Sequence, residues 1–302
     1  MEIIGKTKID FMGMKKISFV ISAIIATIGL IGIIQMARGA ANMGIDFSGG
    51  TALQLKFSQP VAMDKAREAL AKHNLKEATL QDIKEGNKLL VKVGKTTLAA
   101  GKASDTILEV FKKEFPTNSF EVESSTEIGP SIGDKLRKDT LTAIVISMFG
   151  IILYIAWRFD FKFGVGAIIA TAHDILAMFA VFYLMNKEMN LLFITAVLTI
   201  AGYSLTDTVV VFDRIRENLH KNLKESMHSI FNRSINEVLS RSIVTSLTTF
   251  LAACALWLFG GEVIHDFAFA LVVGIVVGVY SSVFVASPIV SLWQERGVKA
   301  QS

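Results

Sequence analysis

The chain has 302 residues, 52% of them hydrophobic and 19% charged, with a formal net charge of +4 and a mean hydropathy of +0.49. That composition excludes an ordinary soluble domain, where about 45–50% apolar residues counting glycine is usual, and points to a bilayer as solvent. The single cysteine, Cys254, excludes a disulfide framework, and no basic patch interleaved with aromatics supports nucleic-acid binding.

Apolar runs at 17–37, 140–157, 163–185, 191–212, 242–259 and 266–286 each approach the roughly 17–25 residues that a spanning helix needs. Six transmembrane helices are therefore expected. The first follows Lys15 and Lys16 and is signal-like. It lacks a convincing small-residue cleavage site, so it reads as a retained anchor. Basic residues concentrate in the N-terminal segment 1–16, in the turn with Arg158 and Lys162, and in the connection 213–241. The tail 287–302 adds Arg296 and Lys299. The short connections near Lys187 and Glu262 carry one basic residue between them, so both termini are expected in the cytoplasm and residues 38–139 on the far side.

Within 38–139, alternation at 52–57 predicts a half-buried strand, and Pro60 opens a helix over 61–73 with Ala62, Ala66, Ala69 and Leu70 on one face. A strand at 78–83, a turn at Gly86 and Asn87, a strand at 89–93, a helix at 97–115 and a strand at 119–124 follow. The order β-α-β-β-α-β is that of the split ferredoxin-like fold. The fold class is thus a membrane all-α six-helix bundle with an inserted extracytoplasmic α+β ferredoxin-like domain. Two glycine-rich segments join it to the bundle. Gly44, Asp46, Gly49 and Gly50 read as a rigid elbow rather than a ligand site, and Gly129, Pro130 and Gly133 as a hinge that lets the domain tilt.

Asp207 is the most telling residue: a carboxylate inside the run 190–212, flanked by Thr206 and Thr208, with no cation in the run. Such a group costs roughly 2.5–3.5 kcal/mol even on lenient insertion scales, so it faces a bundle interior or a wet pathway. The alternative is a polar pin between two helices. Arg241 stands just before the fifth run, where its long stem can reach inward while the guanidinium stays charged. His173 and Asp174 are adjacent and point about 100° apart on a helix, so they form no ready-made dyad; helix pinning is the favoured reading, and an auxiliary place on a proton path is the alternative. Gly274 and Gly278 make a small-xxx-small face for close helix packing, within the bundle or against a partner. In the connection 213–241, Leu219, Leu223, Met227, Ile230 and Ile235 are expected to lie on the membrane interface.

The string from Gly202 to Asn218, the segment Gly44-Ile45-Asp46-Phe47-Ser48-Gly49-Gly50-Thr51, the pair Gly129-Pro130, the turn Trp157-Arg158-Phe159 and the stretch from Ser240 to Thr249 closely resemble the bacterial SecD/SecF family, across nearly the whole chain. The resemblance implies an accessory motor of Sec protein export in the bacterial inner membrane, related to the resistance-nodulation-division superfamily and driven by the proton motive force. It implies that Asp207 and Arg241 serve proton flow, that protons are the coupling ion with no other cofactor, and that no metal is held. The implied partners are a SecD-like subunit, a YajC-like subunit, the SecYEG translocon, unfolded preproteins and membrane lipids.

Other classes fit less well. A membrane serine protease needs a pair such as Ser204 with His173, but the Gly-x-Ser-x-Gly elbow is missing, as is any His-Glu-x-x-His zinc motif, so the chain is not expected to be an enzyme. A proton-coupled exporter of lipids or small molecules is the closer alternative. Such exporters usually have a larger external domain and a duplicated bundle.

Overall fold

A computed structural model describes residues 7–83, 86–94, 102–221 and 225–299. It divides into two compact units, one formed by residues 1–42 with 143–302 and the other by residues 43–142.

The larger unit is helical. Its helices are α1 (Lys15–Ala37), the second half of α5 (Pro130–Arg158), α6 (Phe161–Leu184), α7 (Leu191–Lys221), α8 (Met227–Phe259) and α9 (Glu262–Ser281). A π-helical turn (Ser282–Ala286) leads from α9 into α10 (Ser287–Lys299). Six of these helical stretches are long and apolar enough to cross a membrane, α9, the π turn and α10 forming one of them. The mostly outward-facing helices α1 and α5 leave Ile17, Val20, Leu141, Val145, Phe149 and Trp157 exposed, as suits surfaces covered by lipid or another subunit. Helix α6 is central and packs on α1, α7, α9 and α10.

Close helix approach depends on small residues, because lipid tails give helices no hydrophobic reason to associate. On α1 the buried residues are Ser18, Ser22, Gly29 and Gly32. A Cβ on Gly29 would lie 2.0 Å from the Leu176 carbonyl oxygen, so α1 rests on the α6 backbone. The sequence reading singled out Gly274 and Gly278 but not this second glycine contact.

Two expectations at the basic end change. The connection 213–241 is not an interfacial segment: α7 runs on to Lys221 and α8 begins at Met227 with Ser226 capping it, the Ser229 N–H donating to Ser226 Oγ at 3.2 Å. Ile230 and Ile235 are buried, packed with Phe11, Met12, Ile215 and Phe231, because the paired helix extensions make a core of their own. Leu223 lies outside the described residues. Likewise the segment after 286 continues as α10, with Ser287, Val290 and Ser291 buried.

The smaller unit holds α2 (Ile45–Ser48), β1 (Gly50–Phe57), α3 (Met63–Lys72), β2 (Thr79–Ile83), β3 (Lys88–Gly94), α4 (Lys102–Glu114) and β4 (Phe120–Ile128). Its four-stranded sheet has the order β2-β3-β1-β4 with every neighbouring pair antiparallel. Alternate residues Leu53, Leu55, Phe57, Leu89, Val91 and Val93 meet Ala66, Leu70, Ile107 and Phe111 of the helices, giving one face of sheet under two helices. The expected helix start at 97–101 lies outside the described residues. On the opposite face, Glu123 accepts from Lys88 Nζ at 2.9 Å and from Gln54 Nε2 at 2.8 Å, tying β4 to β3 across β1. The Lys88 hydrogen bond, more than burial opposes it, holds the Glu123 carboxyl below its ordinary value of 4.5.

Two tests follow from this packing. Gly29→Ala is expected to lower the melting temperature of the purified chain in detergent, since forcing a methyl into a packed contact costs about 1–3 kcal/mol. Gly202→Ala, where nothing lies within 4 Å of the added carbon, leaves it unchanged. Because the Glu123 pKa is depressed on folding, its stabilising effect is present above about pH 4.5 and is lost as pH falls through the folded value. The difference in β1 and β4 amide-exchange protection between wild type and Glu123→Gln is therefore expected to shrink on acidification.

Candidate functional site

The bundle interior contains two carboxylates on neighbouring helices. Asp207 lies on α7, four turns from its start, and is half-buried. Its Oδ2 is inaccessible to solvent and has no hydrogen-bond partner, while the Ser242 hydroxyl of α8 and the Ser282 hydroxyl at the start of the π turn face the carboxyl group. Ser242 Oγ is itself buried and without a partner of good geometry. Asp174 of α6 is fully buried. It accepts the Ser204 hydroxyl from α7 at Oδ2 (2.5 Å), lies 3.4 Å from His173 Nδ1 through Oδ1, and is faced by Ser281.

Hydroxyls fill the space between the two acids. Thr208 Oγ1 is 2.8 Å from Ser282 Oγ and donates to the Ser204 carbonyl at 3.3 Å, and Ser282 Oγ donates to the Gly278 carbonyl at 3.0 Å. The Ser287 hydroxyl donates to the Ser282 carbonyl, five residues back, where the π turn widens the helix. This file exists because α9 lies unusually close to α7. A Cβ on Gly274 would come within 2.5 Å of Ile200 Cγ1, and one on Gly278 within 3.0 Å of Ser204 Oγ. The small-residue face therefore packs within the bundle.

Arg241 does not meet Asp207. It is exposed, and among the described residues no ion pair joins the two. The next residue on α8, Ser242, is rotated about 100° around the helix and takes the inward position instead. Thr206 is exposed and bonds back to the Tyr203 carbonyl at 2.7 Å, whereas Thr208 is buried in the file. His173 is buried with Nε2 unpartnered, its ring 5.9 Å from that of Tyr280. The Ser204 hydroxyl bonds to Asp174, not to His173.

The glycine segments have separate local roles. Gly44 caps the short helix α2 and accepts the Ser48 hydroxyl at 3.0 Å; Asp46 lies in its first turn. Gly49 and Gly50 have φ of +69° and +146°, and a Cβ on Gly50 would lie 2.3 Å from the Val93 oxygen, so the start of β1 needs glycine at both positions. Gly129 follows β4 and Pro130 begins α5; Gly133, one turn in, packs against Gly49.

Missed by sequence reasoning were the hydroxyls of Ser242, Ser281 and Ser282 and the coupling of Ser204 to Asp174. The adjacent serines 281 and 282 inside an otherwise apolar run were the available signal.

Residues 107–296 match the family described as protein export membrane protein SecD/SecF, C-terminal, and residues 41–61 match the SecD/SecF GG motif. The chain belongs to the SecD/SecF family. It is 51% identical to the protein translocase subunit SecF of Thermodesulfovibrio yellowstonii, over 96% of both chains, and 40% identical to that of Calditerrivibrio nitroreducens over 95% of this chain and 94% of the relative. Among solved structures it is similar to SecDF, a translocon-associated membrane protein from Thermus thermophilus, with a TM-score of 0.84 and 36% identity. That match covers 96% of this chain and 39% of the SecDF chain. The GG-motif segment contains Gly49 and Gly50, and the larger family match contains both bundle carboxylates.

Because Gly278 faces Ser204, a methyl there pushes α9 off α7 and disturbs the hydroxyl file. Gly278→Ala is expected to cost about 1–3 kcal/mol of thermal stability in detergent, with Gly150→Ala, which meets nothing within 4 Å, as the neutral control.

Proposed function

We propose that this chain is the SecF-type subunit of a SecD/SecF complex that uses the proton motive force to promote preprotein export across the bacterial cytoplasmic membrane. It works without catalysis, metal or organic cofactor, and protons are its coupling ion. The observation that carries this reading is Asp207: a carboxylate in an apolar bundle with one oxygen shielded from solvent and unpartnered, edged by hydroxyls. A static pin between helices needs no ionisable group, whereas a carboxylate with an open valence can take and release a proton.

One charge crossing the full potential is worth about 2.3 kcal/mol per 100 mV, enough to bias a two-state movement of packed helices by more than tenfold. The π turn beside Ser282 is the element best placed to respond, because such turns mark functional sites and strained helical segments. Arg241, exposed on α8, acts at the boundary with a SecD-like subunit, which also covers the apolar flanks that lipid does not. Coverage of only 39% of the SecDF chain supports a SecD-like partner that supplies the rest. A YajC-like subunit, the SecYEG translocon and the unfolded preprotein complete the assembly.

The basic side chains Arg158, Arg214, Arg216 and Arg233 sit at the bundle end that also receives the N-terminal segment, supporting cytoplasmic termini. The smaller unit is then an extracytoplasmic ferredoxin-like domain, a reading supported by its element order and its β2-β3-β1-β4 antiparallel sheet. The near-complete coverage of SecF relatives favours export of proteins over export of lipids or small molecules.

The direct test is preprotein export into inverted vesicles with and without a proton gradient, with wild type and Asp207→Asn at matched abundance. Loss of the gradient's stimulation in the variant is expected. Unchanged stimulation would reduce Asp207 to a helix pin and remove the basis of the motor reading.

A further inference from the structure

The motor reading uses one carboxylate, yet the bundle buries a second. Asp174 is more enclosed than Asp207, and what faces it can be named element by element: His173 from its own helix, Ser204 from α7 and Ser281 from α9. Tyr280 of α9 lies against the His173 ring, its hydroxyl 3.0 Å from Ser22 Oγ and donating to the Ser18 carbonyl of α1, so α1 offers only uncharged groups. Among the described residues, His173 is the one cationic side chain within ion-pair distance of Asp174. A static pin in such a place needs no ionisable group; asparagine or serine would hold the helices at lower cost.

Its position relative to Asp207 adds the second argument. Ser204, which bonds Asp174, precedes Asp207 by three residues on α7, about 4.5 Å of helix rise. Helix α7 runs from the end carrying the connection at 185–190 towards the end carrying Arg214 and Arg216, so Asp174 lies on the far side of Asp207 from the basic end. The consecutive residues Ser281 and Ser282 divide the two acids between them, Ser281 facing Asp174 and Ser282 facing Asp207.

We infer that Asp174 is a second proton-carrying carboxylate placed in series with Asp207, on the extracytoplasmic side of it, with the Ser204–Thr208–Ser281–Ser282 hydroxyls holding the two acids in register. This rests on the motor reading above for the direction of proton flow. A proton arriving from outside converts the Asp174 carboxylate to the neutral acid. Its passage inward restores the Asp174 carboxylate and neutralises Asp207, and its release to the cytoplasm restores Asp207, so each step moves one proton and leaves no net change. His173, with its free Nε2 and its Nδ1 beside Asp174, is a positioning residue that sets how readily Asp174 holds the proton.

The test uses the whole complex in inverted vesicles. Asp174→Asn keeps an acceptor for Ser204 and is expected to accumulate normally while its gradient stimulation falls to the level of Asp207→Asn; Asp174→Glu is expected to retain part of it with a displaced pH profile. A second measurement stands apart from export: infrared difference spectra of the purified complex between acid and alkaline pH are expected to contain a protonated-carboxyl band that Asp174→Glu shifts and Asp207→Asn leaves in place. Full stimulation in Asp174→Asn, or no band that responds to position 174, overturns the inference. If Asp174→Asn does not accumulate, the infrared result with Asp174→Glu decides alone. Loss of stimulation in Asp207→Asn together with full activity in Asp174→Asn defeats the series arrangement and leaves the motor reading standing. Retained stimulation in Asp207→Asn defeats the motor reading instead, whatever the infrared result.

Discussion

Carrying carboxylates into an apolar helical bundle is the constraint on which the rest of this architecture depends. Hydrocarbon offers no hydrogen bonds, so polar atoms at that depth are served only by neighbouring helices, and Asp207 Oδ2 and His173 Nε2 go unserved. Here the service comes from single hydroxyls on α7, α8 and α9, and it requires those helices to approach closely. Gly274 and Gly278 allow α9 to rest on Ile200 and Ser204 of α7, and that contact brings Ser281 and Ser282 to the acids. A larger residue at either glycine would widen the gap and strand the polar groups.

The basic end is built on different physics. Arg158 pairs with Asp213, Arg214 bonds both Glu217 and Glu237 at 2.6 Å, and Arg233 bonds Glu225 at 2.7 Å. These groups are exposed or partly exposed, and such pairs contribute little to stability. Their value is in fixing the turns, while the stabilising weight falls on the apolar cluster beneath, where Phe159 and Phe163 pack edge-on against Phe212. The N-terminal segment closes that cluster: Met12 N–H donates to Asn232 at 2.9 Å, and Asn236 exchanges hydrogen bonds with Ile9. The bundle is thus clamped firmly at one end, while the polar file between α6, α7 and α9 is sparsely bonded.

The hydropathy runs located all six long apolar helices, because length and apolarity are local properties. They did not locate helix ends beyond the apolar stretch. Helix α5 begins ten residues before the run at 140, and α7 and α8 extend past 212 and before 242, since charged turns of helix outside a bilayer have no hydropathy signature. Ile230 and Ile235 have amphipathic spacing, which reads equally as interfacial or as packed between helices. Only the presence of Phe11, Ile215 and Phe231 opposite them selects the second. In the smaller unit, the hydrophobic periodicities and the turn at Gly86 and Asn87 gave the four strands and the two longer helices in order but not the short α2, and the last strand ends four residues later than expected because its outward face lacks alternation.

What the sequence determined by itself is the choice of solvent, the number of long apolar helices, the order of elements between the first two of them, and the residues that are too expensive to bury without purpose: Asp207, Asp174 and His173. These follow from composition and periodicity, which need no knowledge of neighbours. Tertiary structure alone decided which of those residues meet. It turned Ser242 rather than Arg241 towards Asp207, bonded Ser204 to Asp174 rather than His173, and set Ser281 at the end of α9 against one acid and Ser282 at the start of the π turn against the other. Those outcomes depend on the rotation of each helix about its axis and on glycine contacts between distant segments, neither of which is encoded in any one stretch of chain.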